Sequence, residues 1–287
     1  MNGFARAAGW AFVGQIPGTR KRVNQRMRIG SGIAKSVRIL IMLLLSWVWA
    51  SSGDEAWGAL TDGLVAYYPF DGNANDATAN GHHGVLYGSV GYAPGIRGQA
   101  AVFQGNGYIT AVDNSVGNLG TSGSLVFWMR PAAQSLDGAE HRPWEKDYGT
   151  WWMFLFHGSN FFMTLKGAPS YRDNGIELVN PITAGEWYSI IAVKSGQTVD
   201  TYINGLHVDS KSTGADYMTT SAYMTFGRSQ YWNSQYFWGM IDEARVYDRA
   251  LTAAEIADLS VPEPQAMGLL LAAGLLLRRR ATHQPRT

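Results

Sequence analysis

The 287-residue chain contains no cysteine, which excludes a disulfide framework, thiolate chemistry and cysteine-based zinc sites together. That leaves the size of the core, or a bound ion, to supply stability. Charge of one sign is also lacking: 23 Lys and Arg are set against 22 Asp and Glu, a formal net charge of +1. The basic residues gather at the two ends, so the body presents no basic face and nucleic acid is not expected as a partner. Between residues 60 and 259 there is no long helical apolar period and no internal repeat. That argues against a helical bundle and against a repeat array.

What the chain does have is glycine and aromatic residues, with 34 Gly, 11 Trp, 14 Tyr and 11 Phe. Short apolar or alternating runs are punctuated by Gly, Asn and Asp, an all-β pattern. Strands are expected over 64–70, 100–103, 108–111, 124–130, 151–156, 161–165, 176–178, 186–194, 198–203, 206–211, 222–226 and 236–247. Asn204-Gly205 separates two alternating runs. It suits a type I′ hairpin turn, in which both central residues need positive φ. One helix is expected over 252–259, with Thr252 as N-cap and Glu255 completing a capping box. The polar stretch His141-Arg142-Pro143-Trp144 reads as loop.

Four segments in order carry a family resemblance. Near one end stand Tyr67-Tyr68-Pro69-Phe70-Asp71-Gly72-Asn73-Ala74-Asn75-Asp76 and the loop onward to Gly84. In the middle are Ser124-Leu125-Val126-Phe127-Trp128-Met129-Arg130-Pro131, then Gly185-Glu186-Trp187-Tyr188 with Tyr202-Ile203-Asn204-Gly205. Near the other end is Gly239-Met240-Ile241-Asp242-Glu243-Ala244-Arg245-Val246-Tyr247-Asp248-Arg249-Ala250-Leu251. Over residues 60–259 the chain resembles the laminin-G-like, concanavalin A-like jelly-roll family. The resemblance implies a sandwich of two antiparallel sheets with the first and last strands side by side. It leaves function open, because that fold hosts lectins, glycoside hydrolases, adhesion modules and structural fillers alike.

The resemblance also implies a calcium site at the sandwich edge, formed by the loop after the first strand and an Asp on the last. Asp76 and Asp242 are the expected ligands, joined by Asp71 and Asn80. The loop itself is rich in side-chain oxygens, which suit a hard cation. It does not match an EF-hand, since Asp76 stands at the glycine position and His82 at the bidentate glutamate position. The competing reading is an Asx-rich turn whose side chains satisfy their own backbone. His82-His83 points to opposite faces of a strand and reads as packed or solvated histidine.

Glycoside hydrolysis needs two carboxyl groups across a cleft. The single internal E-x-D match, Glu145-Lys146-Asp147, lacks a third acid at the expected spacing, and Asp242-Glu243, as strand neighbours, should face apart. Catalysis is therefore not expected. Trp144, Tyr148, Tyr231 and Trp232 fall in expected loops among polar neighbours. Flat rings edged by hydrogen-bonding groups are what a sugar face requires, so these four are the candidate ligand-binding residues. Against that, long jelly-roll loops fold back and bury their own aromatics.

The ends read as sorting signals. Residues 1–26 look like an over-long start, and 27–50 combine basic residues with an apolar run from Ile39 to Trp49, the pattern of a cleaved signal peptide. After the domain at 60–259 come Val261-Pro262-Glu263-Pro264, an apolar segment from Ala266 to Leu277 and Arg278-Arg279-Arg280. Residues 261–280 resemble a PEP-CTERM sorting signal, which implies a membrane sorting enzyme of the exosortase type as a partner; residues 281–287 form a tail. The basic cluster after an apolar segment obeys the positive-inside rule. Together these features imply an exported, surface- or matrix-associated module, non-catalytic, binding carbohydrate or exopolysaccharide. A structural or adhesive spacer and a glycoside hydrolase are the alternatives.

Overall fold

The computed structural model describes residues 60–146, 152–165, 176–178, 182–213, 219–232 and 234–262. The strands are β1 (Leu64–Tyr68), β2 (Gly84–Pro94), β3 (Gln99–Ala111), β4 (Ser122–Pro131), β5 (Glu140–Lys146), β6 (Trp152–His157), β7 (Asn160–Leu165), β8 (Ile176–Leu178), β9 (Tyr188–Ser195), β10 (Thr198–Ile203), β11 (Leu206–Ser212), β12 (Met224–Phe226) and β13 (Trp238–Tyr247). One helix, α1 (Ala253–Leu259), follows the last strand. Among the described residues no helix is long and apolar enough to cross a membrane.

Every ladder is antiparallel, and they join into one path in the order β11-β10-β9-β4-β13-β3-β12-β5-β6-β7-β8. β1 pairs with β13 and β2 with β3 beside that path. The path curls on itself, so strands far apart along it meet across the interior. Phe127 of β4 lies 5.2 Å from Trp144 of β5, centroid to centroid. Thr201 of β10 contacts the sulfur of Met163 on β7. The expected jelly-roll sandwich is thus present, its two layers being halves of one curled sheet.

The core is aromatic. Trp144, Trp152, Phe154, Phe226, Tyr68 and Phe70 are fully buried and meet edge-on or offset, as ring quadrupoles prefer. A second cluster lies on the outer face of the sheet, where Leu251, Ile256 and Leu259 pack against Val126, Ile191 and Tyr247. α1 holds that position through the expected capping box: Thr252 Oγ1 accepts from Glu255 N–H, and the Glu255 carboxylate accepts from Thr252 N–H. The β10–β11 hairpin also turns where expected, with Asn204 at φ 51° and Gly205 at φ 77°.

Two strands depart from the sequence expectation. β2 is exposed along most of its length and shows no alternation of apolar and polar residues. β5 occupies the stretch expected to be loop, and six of its seven residues are buried. Pro143 is tolerated there because the β5–β6 register slips between His141 and Trp144, a bulge that removes the need for its missing N–H.

Candidate functional site

Three of the four expected ligand-binding aromatics can be located. Trp144 is fully buried. It stacks on Phe226 at 5.0 Å and meets Trp152 edge-on at 5.1 Å, so it is a core residue and the expectation of an exposed loop tryptophan is corrected. The cause is β5 itself: as a strand, alternate positions point inward, and Trp144 is one of them. Tyr148 lies outside the described residues. Tyr231 and Trp232 are 61% and 49% exposed, on the connection between β12 and β13.

That connection is a compact turn. Ser229 N–H donates to the Gln235 carbonyl and Gln235 N–H to the Trp232 carbonyl, while Ser229 Oγ accepts from the amides of Tyr231 and Trp232. A buried ionic cluster on β5 holds it from beneath. Arg142 Nη1 is 3.0 Å from Glu145 Oε2, and Arg142 Nη2 is 3.1 Å from Glu140 Oε2. Glu145 Oε1 accepts from Gln230 N–H, and Glu140 Oε2 accepts from Gln235 Nε2 at 2.7 Å. His141 reaches the Tyr236 carbonyl with Nδ1 at 2.6 Å and Asp137 with Nε2 at 2.9 Å. Burial pushes the Glu145 carboxyl above its usual range, and the Arg142 guanidinium opposes that shift. A buried ion pair of this kind adds little net stability, but it fixes the groups that share it. Here the shared groups are both ends of the aromatic turn.

The first residue of the turn extends the surface onto the β2–β3 hairpin. The Arg228 guanidinium lies 3.6 Å above the Tyr108 ring, and the other side of the Tyr108 stack is Tyr87, at 4.7 Å and nearly parallel. Tyr87 is 45% exposed. Sequence reasoning singled out neither tyrosine: Tyr108 begins an expected strand, but β2, which carries Tyr87, gave no strand pattern. Their signal was pairing: Tyr87 and Tyr108 stand opposite each other in the ladder, where aromatic pairs stabilise a sheet.

The four expected calcium ligands have other tasks. Asp76 Oδ1 accepts from the amides of Tyr67 and Thr78, and Oδ2 from Thr78 Oγ1 and the His82 amide. These bonds hold its pKa below the usual value, against the opposing effect of burial. Asp71 Oδ1 accepts from Gln99 N–H at 2.6 Å, and Asn80 Nδ2 donates to the Val65 carbonyl. Asn73 and Thr78 make the same local bonds to the amides of Asn75 and Asn80. The loop is the Asx-rich turn, with its side chains satisfying backbone.

Asp242 is buried on the last strand, where Oδ2 accepts from the amides of Ile96 and Arg97 and Oδ1 has no hydrogen-bond partner. Burial, with the neighbouring Glu243 charge adding to it, pushes its pKa up to about 8. Among the described residues no three His, Asp or Glu side chains are grouped as a cation would require. In this structure the four side chains tie down loops.

Asp242 and Glu243 also fail to face apart. A bulge in the β13–β4 ladder places Glu243 at φ 55°, and both carboxylates then engage Arg97, Asp242 through its amide and Glu243 through its guanidinium. Both are buried, and Glu243 accepts from the Tyr67 hydroxyl and pairs with Arg245. In the E-x-D segment Glu145 is fully buried, Lys146 donates to the carbonyls of Asn114, Val116 and Ala222, and Asp147 lies outside the described residues.

Comparison with known proteins agrees with this architecture. Comparison with curated protein sequences finds no match. Among solved structures, domain 4 of AbnA, a GH43 extracellular arabinanase from Geobacillus stearothermophilus solved in complex with arabinotriose, shares 25% identity at a TM-score of 0.59, covering 69% of this chain and 98% of that one. The binding domain of Paraclostridial mosquitocidal protein 1 shares 19% identity at a TM-score of 0.57, with 69% of this chain matching 52% of it. A structure of botulinum neurotoxin type C, whose cell entry depends on two ganglioside molecules, shares 15% at 0.54, with 69% and 51% covered. Those last two likenesses show the fold. Residues 103–257 match the laminin-G-type family described as the concanavalin A-like lectin/glucanases superfamily. That match takes in more than half of the sequence, runs from β3 into α1, and coincides with the curled antiparallel sheet and its closing helix; the chain belongs to the concanavalin A-like lectin/glucanase superfamily.

Proposed function

We propose that the chain is an exported, surface- or matrix-associated module that binds carbohydrate without catalysis. One observation carries the reading: Tyr231 and Trp232 stand exposed on a turn whose ends are fixed by a buried ionic cluster. An apolar ring in water gains by covering a sugar face, and a turn already ordered loses little further entropy on binding. Arg228 and the stacked Tyr108 and Tyr87 continue that surface with hydrogen-bonding groups at its margin. The complex of the arabinanase domain with arabinotriose supports the same reading, since that domain is matched along 98% of its length. The non-catalytic reading draws support from Glu145, Asp242 and Glu243, which are buried and hydrogen-bonded, whereas hydrolysis needs an acid and a nucleophile or base across a cleft.

A glycan and polysaccharide array probed with the full chain is expected to show binding to a saccharide class with no release of reducing sugar. Hydrolysis of a bound polymer would overturn the reading, and a blank array would leave the spacer as the better account. Export rests on the sequence of residues 27–50 and 261–280, which lie almost wholly outside the described residues. Intact mass of protein from its native host is expected to show cleavage near Ala50 and processing near Pro264 by a sorting enzyme. A mass that retains residues 266–277 would make the tail a plain anchor.

A further inference from the structure

A groove of about 610 Å³ crosses three adjacent strands, β3, β13 and β4, and none of the aromatic-turn residues lines it. Its floor follows directly from register. Met240 of β13 is paired with Val102 of β3 on one side and Arg130 of β4 on the other, and the next row on that face is Trp238 opposite Gln104. Residues paired across a ladder, and those two apart along a strand, share a face. Arg130, Trp238, Met240, Val102, Gln104 and Gln134 therefore line one trough, with a guanidinium at one side, an indole at the other and amides around.

Both key side chains are held in advance. Trp238 is pinned through its backbone: its N–H donates to Ser135 Oγ, and its carbonyl accepts from the Ala132 amide and Ser135 Oγ. Its indole lies against Gly105, where any Cβ would overlap the ring and where φ is 75°, so only glycine allows that placement. Arg130 is exposed, and its Nε donates to the Gly185 carbonyl at 2.6 Å. That bond anchors the guanidinium at Gly185, which also lines the groove. Among the described lining residues Arg130 carries the sole charge, with no Asp or Glu to neutralise it.

We propose that this groove is a second binding site, independent of the Tyr231–Trp232 turn, and that it takes an acidic saccharide residue of the uronic acid class. The carboxylate would accept two parallel hydrogen bonds from Arg130, the geometry in which guanidinium recognises carboxylate best. The ring would lie on the Trp238 indole, with Gln104 and Gln134 serving its hydroxyls. The charge chooses the ligand: a uronate adds a charge-assisted pair with the exposed guanidinium that a neutral sugar cannot make. The volume suits one or two sugar rings.

The test uses the full chain and two forms of one polymer, polygalacturonate and the same polymer after reduction of its carboxyl groups, with affinity read by retardation in polysaccharide-containing native gels and by calorimetry. The wild-type chain is expected to prefer the charged form at least tenfold, with affinity falling as salt rises. Arg130→Gln should lose at least tenfold on the charged form with an unchanged melting temperature, and Arg130→Lys should recover only part of it. The double variant Tyr231→Ala/Trp232→Ala should leave polygalacturonate binding intact. Equal affinity of the wild type for both polymers, failure to bind polygalacturonate, or an Arg130→Gln variant that binds it normally would each overturn the proposal. Loss of that binding in the turn variant alone would assign it to the aromatic turn, refuting the groove while sparing the module's carbohydrate function.

Discussion

Single residues in this chain show how poorly residue type alone marks a site. Trp144 and Trp232 are both tryptophans among polar neighbours in sequence, yet one is fully buried and the other 49% exposed. What separates them is β5, whose strand geometry no local pattern announces. The acidic residues teach the same lesson. Asp71, Asp76 and Asp242 each accept backbone amides from chain segments that the fold brings near. Asp242 has a measurable consequence. Its folded pKa of about 8 lies above the model-compound value of 3.8, so in that interval the folded state holds a proton that the unfolded chain has released. Stability therefore falls as pH rises from about 4 to 8, by an amount on the order of a few kcal/mol for this one group. Asp242→Asn, uncharged throughout, should lose that slope, so that melting curves of variant and wild type converge in acid and the variant gains relative stability by pH 9. Parallel curves over the whole range would contradict the assignment. Melting in calcium against EDTA tests an ion there separately: a rise that Asp242→Ala abolishes would place one at this residue, and equal melting temperatures would exclude it.

Elements were legible where local rules and tertiary structure agree. The Asn204-Gly205 turn has the two positive φ angles its dipeptide promises, and α1 begins at its capping box. There the chemistry that makes the element is carried within a few residues. Thr252→Ala removes the hydroxyl that accepts from Glu255 N–H and should cost about 1 kcal/mol, the usual value of an N-cap. Because the helix covers Val126, Ile191 and Tyr247, denaturant unfolding should report that loss as a lowered midpoint at constant slope. No change in midpoint would mean that α1 is held by packing alone. β5 was illegible for a reason equally physical. His141, Arg142, Glu145 and Lys146 are tolerable inside only because Tyr236, Glu140, Gln230 and the carbonyls of Asn114, Val116 and Ala222 meet them. Apart from Glu140 on the same strand, those partners come from remote parts of the chain, so a polar, proline-containing segment reads as loop. β2 was illegible for the opposite reason, since an exposed strand has no inner face to impose alternation.

At the scale of the whole molecule, the aromatic bookends did carry the fold. Tyr68 and Phe70 near the start pack on Phe226 near the end, while β1 lies beside β13, so a resemblance read at the two ends was a statement about one core. The site divides differently. Its exposed rings at Tyr231 and Trp232 were legible as loop aromatics, but the cluster that fixes them was not, because a curled sheet sets β5 beneath the β12–β13 turn without any trace in local sequence. The central claim is that this fixed turn binds carbohydrate, and calorimetric titration of the full chain and of Tyr231→Ala/Trp232→Ala with the saccharide retained on an array tests it most directly. The account predicts an affinity at least tenfold weaker in the variant, about 1.4 kcal/mol, with an unchanged melting temperature. Equal affinity of the two proteins for that saccharide would contradict it.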